Sequence, residues 1–174
     1  FGRALRRILD MFKLQPFEKT ERLLSELSTA CGVSLPTPDL QSAELMSWDQ
    51  IRDLHASGHA IGSHTLSHRV LATLSPEEQA EEIGMSKAQL SDHLGEAVRS
   101  FAYPVGGPRH FNDTSVNLVR SSGYLMAFTF NTGMETLPLT DLFRIRRESA
   151  HSFDLLQAKV RMPSLMGIRA KIQA

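Results

Sequence analysis

Two imidazoles four residues apart, His64 and His68, close the stretch Gly58-His59-Ala60-Ile61-Gly62-Ser63-His64-Thr65-Leu66-Ser67-His68. Neutral imidazole nitrogen is a common ligand for zinc and similar divalent ions, and two rings at this spacing converge on one ion if the backbone turns between them. Spacing alone does not separate that reading from a plainer one, in which both rings cap or hydrogen-bond a loop. A zincin helix fits poorly, because it carries a glutamate directly after its first histidine. Thr65 stands there instead, and Ala60, Ile61 and Gly62 lead in with strand-prone and flexible residues. Cys31 is the single cysteine, which excludes an internal disulfide and a thiolate-rich zinc site; the expectation for it is a buried structural thiol.

The elements around the pair follow from periodicity and punctuation. Leu5, Ile8, Leu9 and Phe12 recur at helical spacing, with Arg3, Arg6, Arg7 and Lys13 between them. This predicts a short basic amphipathic helix docked on the core. Contact with an anionic membrane surface is the alternative, but basic residues on the outer side of a packed helix are ordinary. A second helix is expected from about 17 to 30, capped by Gly32. The stretch 33–46, with Pro36 and Pro38, reads as an irregular connection. Ser47 and Gln50 then have capping-box spacing ahead of the apolar stripe Trp48, Ile51 and Leu54, and Gly58 stops that helix. A strand is expected at 60–63. Ser75-Pro76-Glu77-Glu78 opens a helix that Gly95 ends. A strand at 100–103, the Pro/Gly-rich turn at 104–108, a helix from about 113 to 121, and strands at 125–130 and 143–147 complete the pattern. Helix and strand alternate from Ser47 onward, which predicts right-handed βαβ units in a parallel α/β sheet or barrel. Ligand sites in such folds gather at the C-terminal ends of strands, where the histidine pair, the Tyr103–Pro108 turn and the Thr129–Gly133 segment all fall.

Composition sets wider limits. The 174 residues suit one domain with a sizeable core, and 19 basic against 19 acidic side chains give no electrostatic reason to expect a nucleic-acid partner. No apolar run is long enough to span a bilayer, and no signal peptide is visible. Phe1 is not an initiator methionine, so the coding sequence is expected to continue upstream, and localisation stays open.

Taken together, Met46-Ser47-Trp48-Asp49-Gln50-Ile51-Arg52-Asp53-Leu54, the Ser63–His68 box and Phe101-Ala102-Tyr103-Pro104-Val105-Gly106-Gly107 resemble the polysaccharide deacetylases of the NodB-homology carbohydrate esterases, in the group with a Tyr-Pro-x-Gly turn. Gly123-Tyr124-Leu125-Met126-Ala127-Phe128-Thr129, Gly133 and Arg144-Ile145-Arg146-Arg147 extend the likeness. The resemblance implies an irregular (β/α)7 barrel and removal of N-acetyl, in some members O-acetyl, groups from an acetylated polysaccharide or oligosaccharide. It implies a divalent metal, usually zinc, with His64 and His68 as ligands, the Val105 backbone N–H as oxyanion donor, and Tyr103, Pro104 and Gly106 facing the substrate. The family's remaining ligand and its catalytic base are two aspartates in a Thr-Phe-Asp-Asp-Gly box, and this sequence contains no Asp-Asp pair. The chain therefore reads as an incomplete barrel lacking its first strands, expected to bind metal weakly and to turn over poorly by itself. Ala102 stands where many relatives carry an arginine, with Arg99 nearby. The late-strand histidine that acts as general acid in relatives has no clear match, His110 and His151 each reading as loop residues. The division is into a helical segment or insertion at 1–45, a deacetylase-like α/β region at 46–150 and a tail at 151–174. A non-catalytic carbohydrate-binding pseudoenzyme is the alternative. A membrane-surface scaffold using the N-terminal helix with Lys159, Arg161, Arg169 and Lys171 is a third reading.

Overall fold

The computed structural model describes residues 2–13, 15, 17–35, 45–133, 135, 137–148 and 157. The tail at 151–174, with His151 and the basic cluster, lies outside them except for residue 157, as does the connection at 36–44. Helices form at α1 (Gly2–Lys13), α2 (Phe17–Cys31), α3 (Trp48–Ala56), α4 (Pro76–Leu94) and α5 (Asp113–Ser121).

Short-range side-chain chemistry sets the ends of the last three. At α3 the Ser47 hydroxyl accepts the Gln50 N–H and the Gln50 side chain accepts the Ser47 N–H, satisfying two donors that the first turn leaves unpaired. Ser75 and Glu78 repeat the device at α4, where Pro76 stands in the first turn and Gly95 closes the far end at a left-handed φ of 71°. Asn112 and Ser115 do the same for α5.

Strand β1 (Ser100–Ala102) pairs in parallel with β2 (Met126–Phe128), Phe101 lying opposite Ala127. Single parallel bridges extend this ladder outward, from Ser63 to Phe101 on one side and from Phe128 to Ile145 on the other. The wall is thus α/β and runs in the order 63, β1, β2, 145, with α4 crossing from the first position to the second and α5 from the second to the third. The strands expected at 60–63 and 143–147 contract to these bridges. Strand geometry is a property of a pair, and the 60–63 run meets β1 through only two bonds, Ser63 N–H to Ser100 O and Ala102 N–H to Ser63 O.

Helices α4 and α5 cover one face of the wall. Ile83 of α4 and Val116 and Val119 of α5 meet Phe101, Tyr124 and Ala127 in a buried cluster. Polar groups inside it are paired: Gln79 donates to Leu74 O and accepts from the Ser115 hydroxyl.

The N-terminal helices depart from expectation. The amphipathic α1 does not dock on this core: Leu5 and Leu9 remain 46% and 47% exposed, and no described side chain of α1 or α2 is buried. Helices α4 and α5 already close the apolar face, so the α1 stripe meets no core surface among the described residues. For the same reason Cys31, at the end of α2, is exposed and free rather than the buried thiol expected. No helix of the described residues is long and apolar enough to cross a membrane.

Candidate functional site

All four positions of the wall point their C-terminal ends the same way, and hydrogen bonds lace those ends together. His64 follows Ser63, and its Nδ1 lies 2.7 Å from Ala102 O at the end of β1. Tyr103 N–H donates to Phe128 O, Phe130 N–H to Gly106 O, and Arg147 N–H to Asn131 O. The Arg147 guanidinium also donates through Nε to Thr129 O at 2.7 Å. The predicted strand-end segments therefore do meet along one edge.

The bond to Ala102 O has a chemical consequence. A carbonyl only accepts, so His64 Nδ1 carries the proton and Nε2 keeps its lone pair free. The His68 ring lies edge-on to His64, with centroids 4.7 Å apart. Partial burial holds the His64 pKa below the ordinary imidazole value. The bond to Ala102 opposes that shift, whereas His68 and the Arg147 guanidinium add to it. A neutral ring is the form that binds a metal.

The turn between the two rings is strained. Thr65 and His68 both adopt positive φ, 65° and 60°, in the left-handed region that non-glycine residues enter at about 1–3 kcal/mol each. Opposing this is Glu82, on α4 and only 6% exposed. One of its oxygens accepts both the Leu66 and the Ser67 N–H at 2.9 Å, and the other accepts the Ser67 hydroxyl. These bonds satisfy both backbone donors of the turn and tie it to α4, opposing the strain. Glu78 and Ser86, one turn to either side of Glu82, hold the flanks: Glu78 pairs with Arg69 and Ser86 with the Ser63 hydroxyl. Sequence reasoning missed Glu82 and Arg147. The only sequence trace of this contact is the polar spacing 78, 82, 86 on one helix face.

The second strand-end turn, 103–107, is shaped differently. Tyr103 and Pro104 are fully buried, the Tyr103 ring stacking on Phe111 at 4.1 Å while its hydroxyl donates to Phe143 O at 3.0 Å. Burial pushes the Tyr103 phenol pKa upward. Val105 is half-buried at a φ of 58°, costly for a β-branched residue, and its N–H makes no hydrogen bond to another described residue. Gly106, at φ 63°, passes so close to its neighbours that a Cβ would lie 2.7 Å from Phe130 N and 2.9 Å from Tyr103 O.

His64 and His68 together can supply two ligands to a divalent ion. Among the described residues no group of three or more histidine, cysteine, aspartate or glutamate side chains could hold a metal. A catalytic zinc centre uses three protein ligands, so the described residues provide a partial donor set. The Thr65 hydroxyl oxygen beside the pair is buried and has no hydrogen-bond partner among the described residues. Other histidines serve local packing: His93 stacks on Trp48 at 3.7 Å, and His55 Nε2 lies 3.3 Å from Glu96.

Comparison with known proteins agrees with this architecture. The family model described as polysaccharide deacetylase matches residues 6–127. YxkH of Bacillus subtilis (strain 168), named by family as a polysaccharide deacetylase, is 28% identical over 85 residues, covering 49% of this chain and 29% of that protein. The deacetylase PplD of Streptococcus pyogenes, solved in complex with acetate, superposes with a TM-score of 0.54 at 29% identity, over 63% of this chain and 48% of PplD. A polysaccharide deacetylase from Bacillus cereus superposes at 0.52 with 28% identity, over 59% of this chain and 31% of its own. The chain thus spans between about a third and a half of the length of these relatives. With the family match running through most of the sequence, this chain belongs to the polysaccharide deacetylase family.

Proposed function

We propose that this chain carries the histidine half of a metal-dependent deacetylase site, acting on N-acetyl and, in some substrates, O-acetyl groups of an acetylated polysaccharide or oligosaccharide. The observation that carries the reading is the His64/His68 pair, with His64 Nε2 left free by the bond to Ala102 O, at the C-terminal edge of a parallel wall. A divalent ion, zinc by preference, would be held there by His64 and His68; when bound it polarises the acetyl carbonyl and makes water more acidic. On this reading the fold is of the (β/α)7 barrel type, and the described residues supply the two imidazole ligands of its metal site.

The chain's own groups then divide the work. His64 and His68 fix the ion's position relative to the wall. The Val105 N–H, which has no hydrogen-bond partner among the described residues, supplies a preorganised donor for the oxyanion that develops on the acetyl carbonyl. Tyr103 and Pro104 set that turn from beneath, and Gly106 lets the Phe130 backbone approach, so the substrate meets a floor of main chain. The incomplete donor set also suits a carbohydrate-binding pseudoenzyme, which would bind glycan without releasing acetate.

Acetate release from N-acetylglucosamine oligomers, measured on the protein, tests the reading. His64→Ala and His68→Ala are each expected to lower kcat/KM by at least about 100-fold, or about 2.7 kcal/mol of transition-state stabilisation. Undiminished release in both variants would contradict the assignment; glycan binding with no release in the wild type would favour the pseudoenzyme.

A further inference from the structure

We propose that Glu82 is the positioning residue of the histidine pair, its buried carboxylate holding the Leu66–Ser67 backbone so that the strained turn presents the His64 and His68 rings to one ligand. The inference rests on reading those rings as metal ligands, but it concerns a residue on a different element. Three observations support it. Glu82 is buried, and its three assigned bonds all go to the two residues midway between the histidines. Both positive-φ residues, Thr65 and His68, flank the stretch it holds. Its helix neighbours at one-turn spacing, Glu78 and Ser86, pin Arg69 and Ser63, so a single face of α4 fixes the segment from 63 to 69. Two adjacent N–H groups reach one Glu82 oxygen and the Ser67 hydroxyl reaches the other, a set of three donors that the paired oxygens of a carboxyl group can accept together. Outer-shell partners of this kind commonly set ligand orientation.

Nuclear magnetic resonance of the 174-residue chain without metal tests this directly, by amide hydrogen exchange at Leu66 and Ser67 and by the through-space contact between the His64 and His68 rings. Glu82→Ala is expected to lower protection at both amides at least tenfold and to abolish the ring contact. Glu82→Gln, which keeps one acceptor oxygen, is expected to restore part of each. Val119→Ala, a core change in α5, controls for general loss of stability and is expected to leave the ring contact in place. If neither Glu82 variant folds, Ser67→Ala carries the test, with reduced protection at Leu66 as the expected result. Wild-type protection and ring contact in a folded Glu82 variant, or in Ser67→Ala where that variant decides, overturns the proposal, as does equal loss in Val119→Ala. The readout needs neither metal nor turnover, so a failure of the deacetylase reading would leave it intact and separately visible.

Discussion

Gly106 occupies a backbone conformation that side chains resist, and it does so where the main chain of Phe130 and Tyr103 is close enough to exclude a methyl group. The obstructing atoms are backbone, so they cannot swing aside as a flexible side chain would. Gly106→Ala should therefore cost about 1–3 kcal/mol and lower the melting temperature accordingly. It should also disturb the adjacent Val105 N–H, so acetate release should fall further than stability alone accounts for. An unchanged melting temperature would show that the turn can relax. His64 and His68 were legible as residues because metal chemistry favours a recognisable pair at short spacing. Glu82 was not, since it lies 16 residues beyond Leu66, across a loop, a 3-10 turn and the start of a helix, and no local pattern encodes which turn a buried carboxylate will meet.

At the scale of elements, α4 both builds the core and positions the site, so its capping has consequences beyond its own first turn. Glu78 accepts the Ser75 N–H and pairs with Arg69, and these partners, the backbone bond foremost, hold its carboxyl pKa below the ordinary value of 4.5. A depressed carboxyl contributes stability that is fully present above the unfolded value and is lost as pH falls through the folded one. Glu78→Gln should accordingly be less stable than wild type near neutrality, and the gap should close as pH drops below about 4 in urea titrations. A gap that stays constant with pH would mean the interaction does not depend on the charge. Helix ends such as Ser47, Ser75 and Gly95 could be placed from the sequence because capping is a contact over three or four residues. The outer strands were overextended for the opposite reason: Ser63 and Ile145 have strand-like neighbours, but how far a strand runs depends on its partner's ladder. The α1 stripe gave its helix correctly, whereas its burial depended on core space that α4 and α5 already fill.

For the molecule as a whole, a parallel wall gathers four strand ends, and the groups capable of chemistry sit along that one edge. Family membership rests on the sequence match, whereas the roles proposed for the histidine pair and for the Val105 N–H, which has no hydrogen-bond partner among the described residues, rest on the geometry of that edge. The central claim is that His64 and His68 bind one divalent ion together. Titrating zinc into the protein, with its histidine ring nitrogens observed by magnetic resonance, tests it most directly. The account predicts that His64 Nε2 and a His68 nitrogen move together into the metal-bound range while His55, His59 and His93 stay in place, and that His64→Ala abolishes the response of His68. Zinc that leaves both rings unmoved, or that moves the His55 and His93 group instead, would contradict it.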